Sequence, residues 1–486
     1  MKRVLEGLAP ARVFEIFEDL TQIPHGSGNV KQISDYCVNF AKNLGLQVRQ
    51  DEFLNVIIVK EASAGYPSDK TVLIQGHIDM VCEKNQDNPI NMETDPLNIG
   101  IDGDWIHANG TTLGGDDGIA VAYALAILED NTLEHPRLEV VLTTDEETGM
   151  DGAMGLDVSD LKAEYMINVD SEREGEILTS CAGGNKSKTH LPIQRASVKG
   201  EVMEIAIRGL KGGHSGDQIH TGRANSNIVL GRILYSLLPM DIRIVSMEGG
   251  LKDNAIPREA QAEIVVDASK VDELKATVET VTKELQAEFA VTEPELSVIV
   301  SQKGIDEKEA MDAESTNRSV RYLFHVINGI QTMSFEIENL VESSLNLGVM
   351  RTLENEVTYT HAIRSSKATL KAVITEKVAD MAKLFGGSIT TRGDYPAWEY
   401  KKDSKLRQLF IDKYEELTGE KPEVCAIHAG LECGLLSEKM PYLDIVSIGP
   451  DMQGIHTPEE RLNISSTKRV YEYLLLTLKD FYKYCE

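Results

Sequence analysis

TVLIQGHID, residues 71–79, is an apolar run of strand length that stops at Gly76 and is followed at once by His77, Ile78 and Asp79. A continuous apolar run of this kind, bounded by a breaker, reads as a strand buried on both faces. Downstream, the glycine-rich loop TTLGGDDG (111–118) opens the long apolar helix IAVAYALAILED. A second buried strand, LEVVLTT (138–144), runs into Asp145, Glu146, Glu147, Thr148 and Gly149, and a third, YMINVD, ends at Asp170. Upstream lie an amphipathic helix, the loop IPHGSG (23–28), a second helix to about Leu44 and short strands through VRQDEFLNVIIVK. This alternation of strand, loop and helix predicts an α/β sheet, and polar residues gathered just past the carboxyl ends of strands are where such sheets bind ligands.

Beyond about residue 186 the texture changes. Strands at EVMEIAIRGL (201–210), EAQAEIVVD (259–267) and ATLKAVITE (368–376) are expected to alternate with helices at 224–238, 271–288 and 314–327, a pattern that fits antiparallel α+β packing. The rhythm of strand, helix and strand recurs without any aligned motif, which predicts two similar α+β units side by side. After about 394 the chain returns to its first style, with a helix at 403–418, the apolar run YLDIVSIGP and a final helix at 466–483. The expected architecture is a discontinuous catalytic domain, 1–186 and 394–486, carrying an inserted domain at 187–393.

At roughly 100–200 residues per domain, 486 residues suggest two to four domains. A composition of 42% hydrophobic and 26% charged residues is that of a soluble globular chain, neither disordered, fibrous nor membrane-spanning. The formal net charge of -29, from 49 Lys and Arg against 78 Asp and Glu, repels phosphate backbones and anionic lipid. Neither nucleic acid nor a membrane is therefore an expected partner. The N-terminal MKRVLEGLAPARVFEIFEDL lacks a long apolar run and a small-residue cleavage site, so it reads as an amphipathic helix and not as an export signal. Cys37, Cys82, Cys181, Cys425, Cys433 and Cys485 are scattered without a CxxC, as expected of reduced thiols in the cytoplasm.

Five residues able to ligate a metal sit at strand ends or adjoining loops in the first and last thirds of the chain: His77, Asp116, Glu147, Asp170 and His456. Singly, each is as readily a cap or a loop hydrogen bond. Together, imidazole nitrogen and carboxylate oxygen without thiolate suit a hydrolytic Zn, Co or Mn site better than a structural zinc. Within Asp145-Glu146-Glu147 the side chains take separate roles, because neighbours in an extended segment point in opposite directions. One can ligate while the other reaches the water, whose pKa a metal lowers toward about 7 so that a carboxylate can accept its proton. Asp79, two residues after His77, can orient that histidine by a hydrogen bond.

The set GHIDMV, TTLGGDDGIAVA, TTDEETGMDGA, NVDSE and IHTPEE resembles the co-catalytic zinc peptidases, the family that includes tripeptide aminopeptidases, carboxypeptidase G and carnosine dipeptidases. The motifs occur in the family order over nearly the whole chain, and within the family they most resemble the bacterial aminoacyl-histidine (Xaa-His) dipeptidases. The resemblance implies an α/β fold: a zinc-peptidase catalytic domain with a mixed sheet flanked by helices, and an inserted α+β lid domain of two ferredoxin-like units. It implies two divalent metal ions per chain, Zn2+ foremost, with Co2+ or Mn2+ as alternatives. The bridging aspartate falls on Asp116, the first Asp of GGDD, with Asp117 as the alternative. His77 and Asp170 complete one metal, and Glu147 and His456 the other. Glu146 takes the role of general base and proton shuttle, with Asp79 as the supporting catalytic aspartate. The family loop often reads GxxDxKG, where this chain has GGDDGIA.

In the inserted segment, GLKGGHSGD (209–217) matches the family's lid-histidine motif, which gives His214 the oxyanion of the tetrahedral intermediate; a glycine-rich turn with an exposed His is the alternative. Asn254 in GGLKDNAIPREA and Arg364 in HAIRSS resemble groups that bind the substrate carboxylate or oxyanion, against an equal alternative of structural roles. HAGLECG (428–434) occupies the place of a glycine-rich substrate loop. The implied function is a metal-dependent dipeptidase acting on Xaa-His and other dipeptides. Its competitors are a tripeptide aminopeptidase, an N-acyl amino acid amidohydrolase, a non-catalytic metal- or peptide-binding protein, and a structural assembly protein, for which there are no heptads, repeats or adhesive tail. Small peptides are the expected partners, with a homodimer left open.

Overall fold

In the computed structural model, which describes residues 3–485, Thr71–His77 is a strand buried along its whole length. Parallel partners, Arg137–Thr143 and Tyr165–Asn168, lie on its two sides. A strand with no solvent face has no polar side to alternate with, which is why its sequence is a continuous run of Val, Leu and Ile. The full sheet is mixed and eight-stranded, in the order Gln47–Gln50, Val56–Lys60, Arg137–Thr143, Thr71–His77, Tyr165–Asn168, Asp444–Ser447, Glu176–Cys181 and Glu423–Ile427. Asp444–Ser447 adds in parallel to Tyr165–Asn168, so the last part of the chain completes the sheet that the first part begins.

The helix Gly115–Glu129 packs against Thr71–His77, and every residue from Gly118 to Leu128 is buried. A helix that is apolar all round has to be enclosed in this way. Its start comes so close to the strand that a Cβ at Gly76 would lie 2.5 Å from Asp117 Oδ2 and 2.6 Å from the Ala120 Cβ. Only glycine admits that approach, and the approach sets Asp116 and Asp117 beside His77. Helices Ala11–Thr21, Lys31–Asn43, Lys405–Thr418 and Ile464–Asp480 supply the rest of this core, with Phe14, Phe17, Tyr123, Phe410 and Phe481 among its fully buried side chains.

This unit comprises the chain up to Ser180, Trp398–Ala426 and the chain from Leu431; a second unit comprises Cys181–Ala397 and Ile427–Gly430. The second unit is built on a nine-stranded antiparallel sheet, and its strand order resolves into two halves of equal design. In one half Arg195–Arg208, helix Ser226–Leu237, Arg243–Gly249, Ala260–Val266, helix Val271–Glu288 and Ser297–Met311 follow one another as βαββαβ. In the other, Gly183–Pro192, helix Ala313–His325, Val341–Thr352, Glu356–Ser365, helix Ala368–Leu384 and Ser388–Tyr395 do the same. Each half places its fourth, first, third and second strands side by side, the ferredoxin-like order. The two second strands join the halves through Glu248↔Arg351 and Gly249↔Met350. The first half is inserted between the first strand and first helix of the other.

One expected strand is a helix. ATLKAVITE opens Ala368–Leu384, whose buried residues are Ile374, Val378 and Ala382. Their spacing of four is helical, but a nine-residue window rich in β-branched residues ends before the period shows. Among the described residues no helix is long and apolar enough to cross a membrane.

Candidate metal centre

The carboxyl ends of three adjacent parallel strands deliver most of the site. His77 is the last residue of its strand, Asp170 stands two residues past Tyr165–Asn168, and Glu146 and Glu147 open a short helical turn just past Arg137–Thr143. Asp116 lies in the turn before the apolar helix, where it and Asp117 depart from helical torsions. His456 comes from the loop between Met452–Gln453 and Arg461–Asn463, held at a φ of 60°.

Asp116 presents one oxygen to each histidine: Oδ1 lies 3.1 Å from His77 Nε2 and Oδ2 lies 3.3 Å from His456 Nε2. His77 Nε2 is also 3.7 Å from Asp170 Oδ1, and His456 Nε2 is 2.9 Å from Glu147 Oε1. Two ligand groups result, His77 with Asp116 and Asp170, and Asp116 with Glu147 and His456; His77, Glu146 and Glu147 are a third combination within the same reach. Asp117 belongs to none of them. Its side chain is fully buried, and its Oδ2 accepts the backbone N–H of His77 at 3.1 Å.

Burial and close neighbours shift most of the titratable groups in the cluster. Burial opposes protonation of His77, but hydrogen bonds to Asp116 and Asp79 outweigh it and raise its pKa well above the ordinary value. Hydrogen bonds to Asp116 and Glu147 push His456 up to about 10. Burial pushes Glu146 up to about 8, with Glu432, Glu147 and Asp116 adding like-charge repulsion, and burial together with Asp117 pushes Asp170 well up. Asp116 goes the other way, because the hydrogen bonds and charges of His456 and His77 outweigh its burial and hold its carboxyl well below the usual range. The donor set of imidazole nitrogen and carboxylate oxygen suits Zn, Co or Mn. His77 Nδ1 lies 3.0 Å from the backbone oxygen of Asp79. A carbonyl can only accept, so Nδ1 carries the proton and a metal-binding His77 offers its Nε2 lone pair to the site.

The sequence matches the model described as Peptidase family M20/M25/M40 over residues 73–480. The chain belongs to this family. It is 40% identical over 479 residues to the cytosol non-specific dipeptidase of Escherichia coli (strain K12), a match covering 98% of this chain and 99% of that protein. The crystal structure of aminoacylhistidine dipeptidase from Vibrio alginolyticus is similar with a TM-score of 0.92 and 38% identity, over 98% of this chain and 97% of that chain. A tripeptidase from Staphylococcus aureus subsp. aureus mu50 shares the fold, with a TM-score of 0.58 and 16% identity over 97% of this chain and 98% of that one. The chain is thus an M20 peptidase, a hydrolase with the α/β fold that its strand and helix pattern predicts.

Around this cluster, Asp79 ties several loops together. Its Oδ1 accepts the N–H of Glu146 at 3.1 Å and its Oδ2 accepts Ser27 Oγ–H at 2.8 Å, which draws the IPHGSG loop to the site. Glu460, the last residue of IHTPEE, was not singled out by the sequence. It is buried, and its carboxylate accepts the N–H groups of Leu113 at 2.7 Å and Gly115 at 2.8 Å, pinning the loop that carries Asp116 to the loop that carries His456. The only signal in the sequence is its position four residues after His456.

The remaining expected residues belong to the second unit. His214 lies on the short strand Gly213–His214, paired with Ala255–Ile256 beside Asn254, whose carbonyl accepts the Ser215 N–H at 2.8 Å. Its Nδ1 is 3.3 Å from Asp217 Oδ2. The hydrogen bond to His214 holds the Asp217 pKa down, helped by the charge of Arg364. Arg364 donates to Tyr395 Oη at 3.2 Å and its Nε has no partner. His428, the first residue of HAGLECG, is buried with Nε2 2.7 Å from Ser344 Oγ, and burial lowers its pKa to about 3.

Proposed function

We propose that this M20 peptidase is a cytosolic dipeptidase that hydrolyses Xaa-His and other dipeptides with two divalent metal ions per chain, zinc foremost. The observation that carries the proposal is Asp116, one carboxylate with an oxygen toward each of two imidazoles, in a chain whose two relatives at 40% and 38% identity over nearly its full length are named dipeptidases. His77, Asp116 and Asp170 would hold one ion, and Asp116, Glu147 and His456 the other. Ions so held would acidify water and polarise the scissile carbonyl.

The chain's own residues do the rest. Glu146 takes the proton of the attacking water and returns it to the leaving amine. Asp79 holds the backbone of Glu146 and the ring of His77, so base and ligand keep a constant relation. His214 donates to the carbonyl oxygen as it gains charge, and Arg364 and Asn254 bind the substrate's carboxylate or oxyanion, Arg364 through the guanidinium donors not taken by Tyr395. The first unit is the catalytic domain and the second a lid.

A panel of Xaa-His dipeptides, other dipeptides, tripeptides and N-acyl amino acids, run on chelated protein reloaded with Zn, Co or Mn, tests the proposal. Dipeptides should be the best substrates, with activity abolished by chelation and restored by metal. Faster turnover of tripeptides or N-acyl amino acids would replace the dipeptidase assignment. His214→Ala should lower kcat by about 10²–10³-fold with unchanged metal content and Tm, because an oxyanion donor acts chiefly in the transition state. Wild-type kcat with only a raised KM would reduce His214 to a substrate-binding group.

A further inference from the structure

The glutamate of HAGLECG, Glu432, is the first residue of helix Glu432–Lys439 and has no exposed surface. Its Oε2 accepts two hydrogen bonds, from Gln75 Nε2 at 2.5 Å and from Thr143 Oγ1 at 2.6 Å. Gln75 Nε2 also donates to Thr143 Oγ1 at 3.1 Å, and Gln75 Oε1 accepts Asn168 Nδ2 at 2.6 Å. Thr143, Gln75 and Asn168 lie on three adjacent strands and are themselves fully buried. A polar chain thus crosses the sheet immediately beneath the metal centre. Gln75 precedes His77 by two residues, Asn168 precedes Asp170 by two, and Thr143 is the last residue of its strand before Glu146 and Glu147.

This arrangement is an expensive way to fill a core. Both donors to Glu432 are neutral, its Oε1 has no partner, and apolar side chains of similar volume would pack here without burying a carboxylate. What a connected polar chain adds is a unique relative placement of the groups it joins. That placement matters here because the backbone ladder ends at Thr143 and Asn168, short of Glu146, Glu147 and Asp170.

We propose that Glu432 is a positioning residue of the metal centre, acting through Gln75 and Thr143 to set where the strand ends place His77, Glu146 and Glu147. The proposal rests on the two-ion dipeptidase assignment for its kinetic readout but not for its spectroscopic one. Glu432→Gln keeps an oxygen able to accept from Gln75 and Thr143, whereas Glu432→Leu removes the acceptor that joins them to the helix and leaves Gln75 only its bond to Thr143 and Thr143 only its longer bond to the Gly76 carbonyl.

With cobalt-loaded protein the visible absorption spectrum reports ligand geometry directly. The spectrum should be preserved in Glu432→Gln and altered in Glu432→Leu. With zinc-loaded protein and a dipeptide substrate, Glu432→Leu should lose about 10–100-fold in kcat, the usual effect of removing a group that orients metal ligands. KM should change little, and Glu432→Gln should stay near wild type. A Leu variant with wild-type spectrum and kcat overturns the proposal, as does an equal loss in both variants, which would assign the effect to charge. If the Leu variant does not fold, Thr143→Val removes one donor at constant size, and an unchanged spectrum and kcat there overturn it equally. A wild-type protein that binds cobalt but leaves dipeptides intact would count against the dipeptidase assignment alone, since the spectra still decide the role of Glu432.

Discussion

Asp116→Ala is expected to strip both ions from the protein at once. One carboxylate faces His77 through Oδ1 and His456 through Oδ2. Its removal leaves His77 with Asp170 on one side and Glu147 with His456 on the other. Two protein ligands apiece fall short of the three that catalytic zinc sites commonly use. Elemental analysis of purified protein should therefore fall from two ions per chain toward none, with activity lost in parallel. Asp170→Ala, which touches one group only, is the control and should leave one ion in place. A variant of Asp116 that keeps one tightly held ion would mean that the two groups do not share a ligand, and the co-catalytic arrangement would be wrong.

Glu146→Gln should nearly abolish turnover while both ions stay bound. The substitution removes a proton acceptor and keeps the shape, and loss of a general base typically lowers the rate by about 10²–10⁴-fold. The effect should reach the upper end because the same carboxylate returns the proton to the leaving amine. Glu147→Gln should behave differently and weaken metal binding, since Glu147 Oε1 lies 2.9 Å from His456 Nε2. The geometry makes the comparison a genuine contest, because Glu146 also comes within ligand reach of His77 and Glu147. Kinetics and metal content measured on both variants decide it, and exchanged phenotypes would exchange the two roles.

The sequence by itself determined the α/β class, the buried strands around His77, and the paired α+β halves of the inserted segment. The reason is that burial leaves a local imprint: a strand enclosed on both faces is a continuous apolar run, and an enclosed helix is apolar all round. The residues that gather as a candidate metal centre were equally legible, since imidazole and carboxylate groups are chemically distinctive and sit where apolar runs end. The tertiary structure alone decided between neighbours of the same kind. Asp116 and Asp117 are identical in composition, yet backbone torsions turn the first toward both histidines and the second beneath the His77 amide. Helix Ala368–Leu384 shows its period only through Ile374, Val378 and Ala382, two of which lie beyond its strand-like opening. Glu460 and Glu432 bond to partners 347 and 357 residues away. A hydrogen bond between groups so distant leaves no periodicity and no spacing in the chain, because the fold alone brings its two ends together.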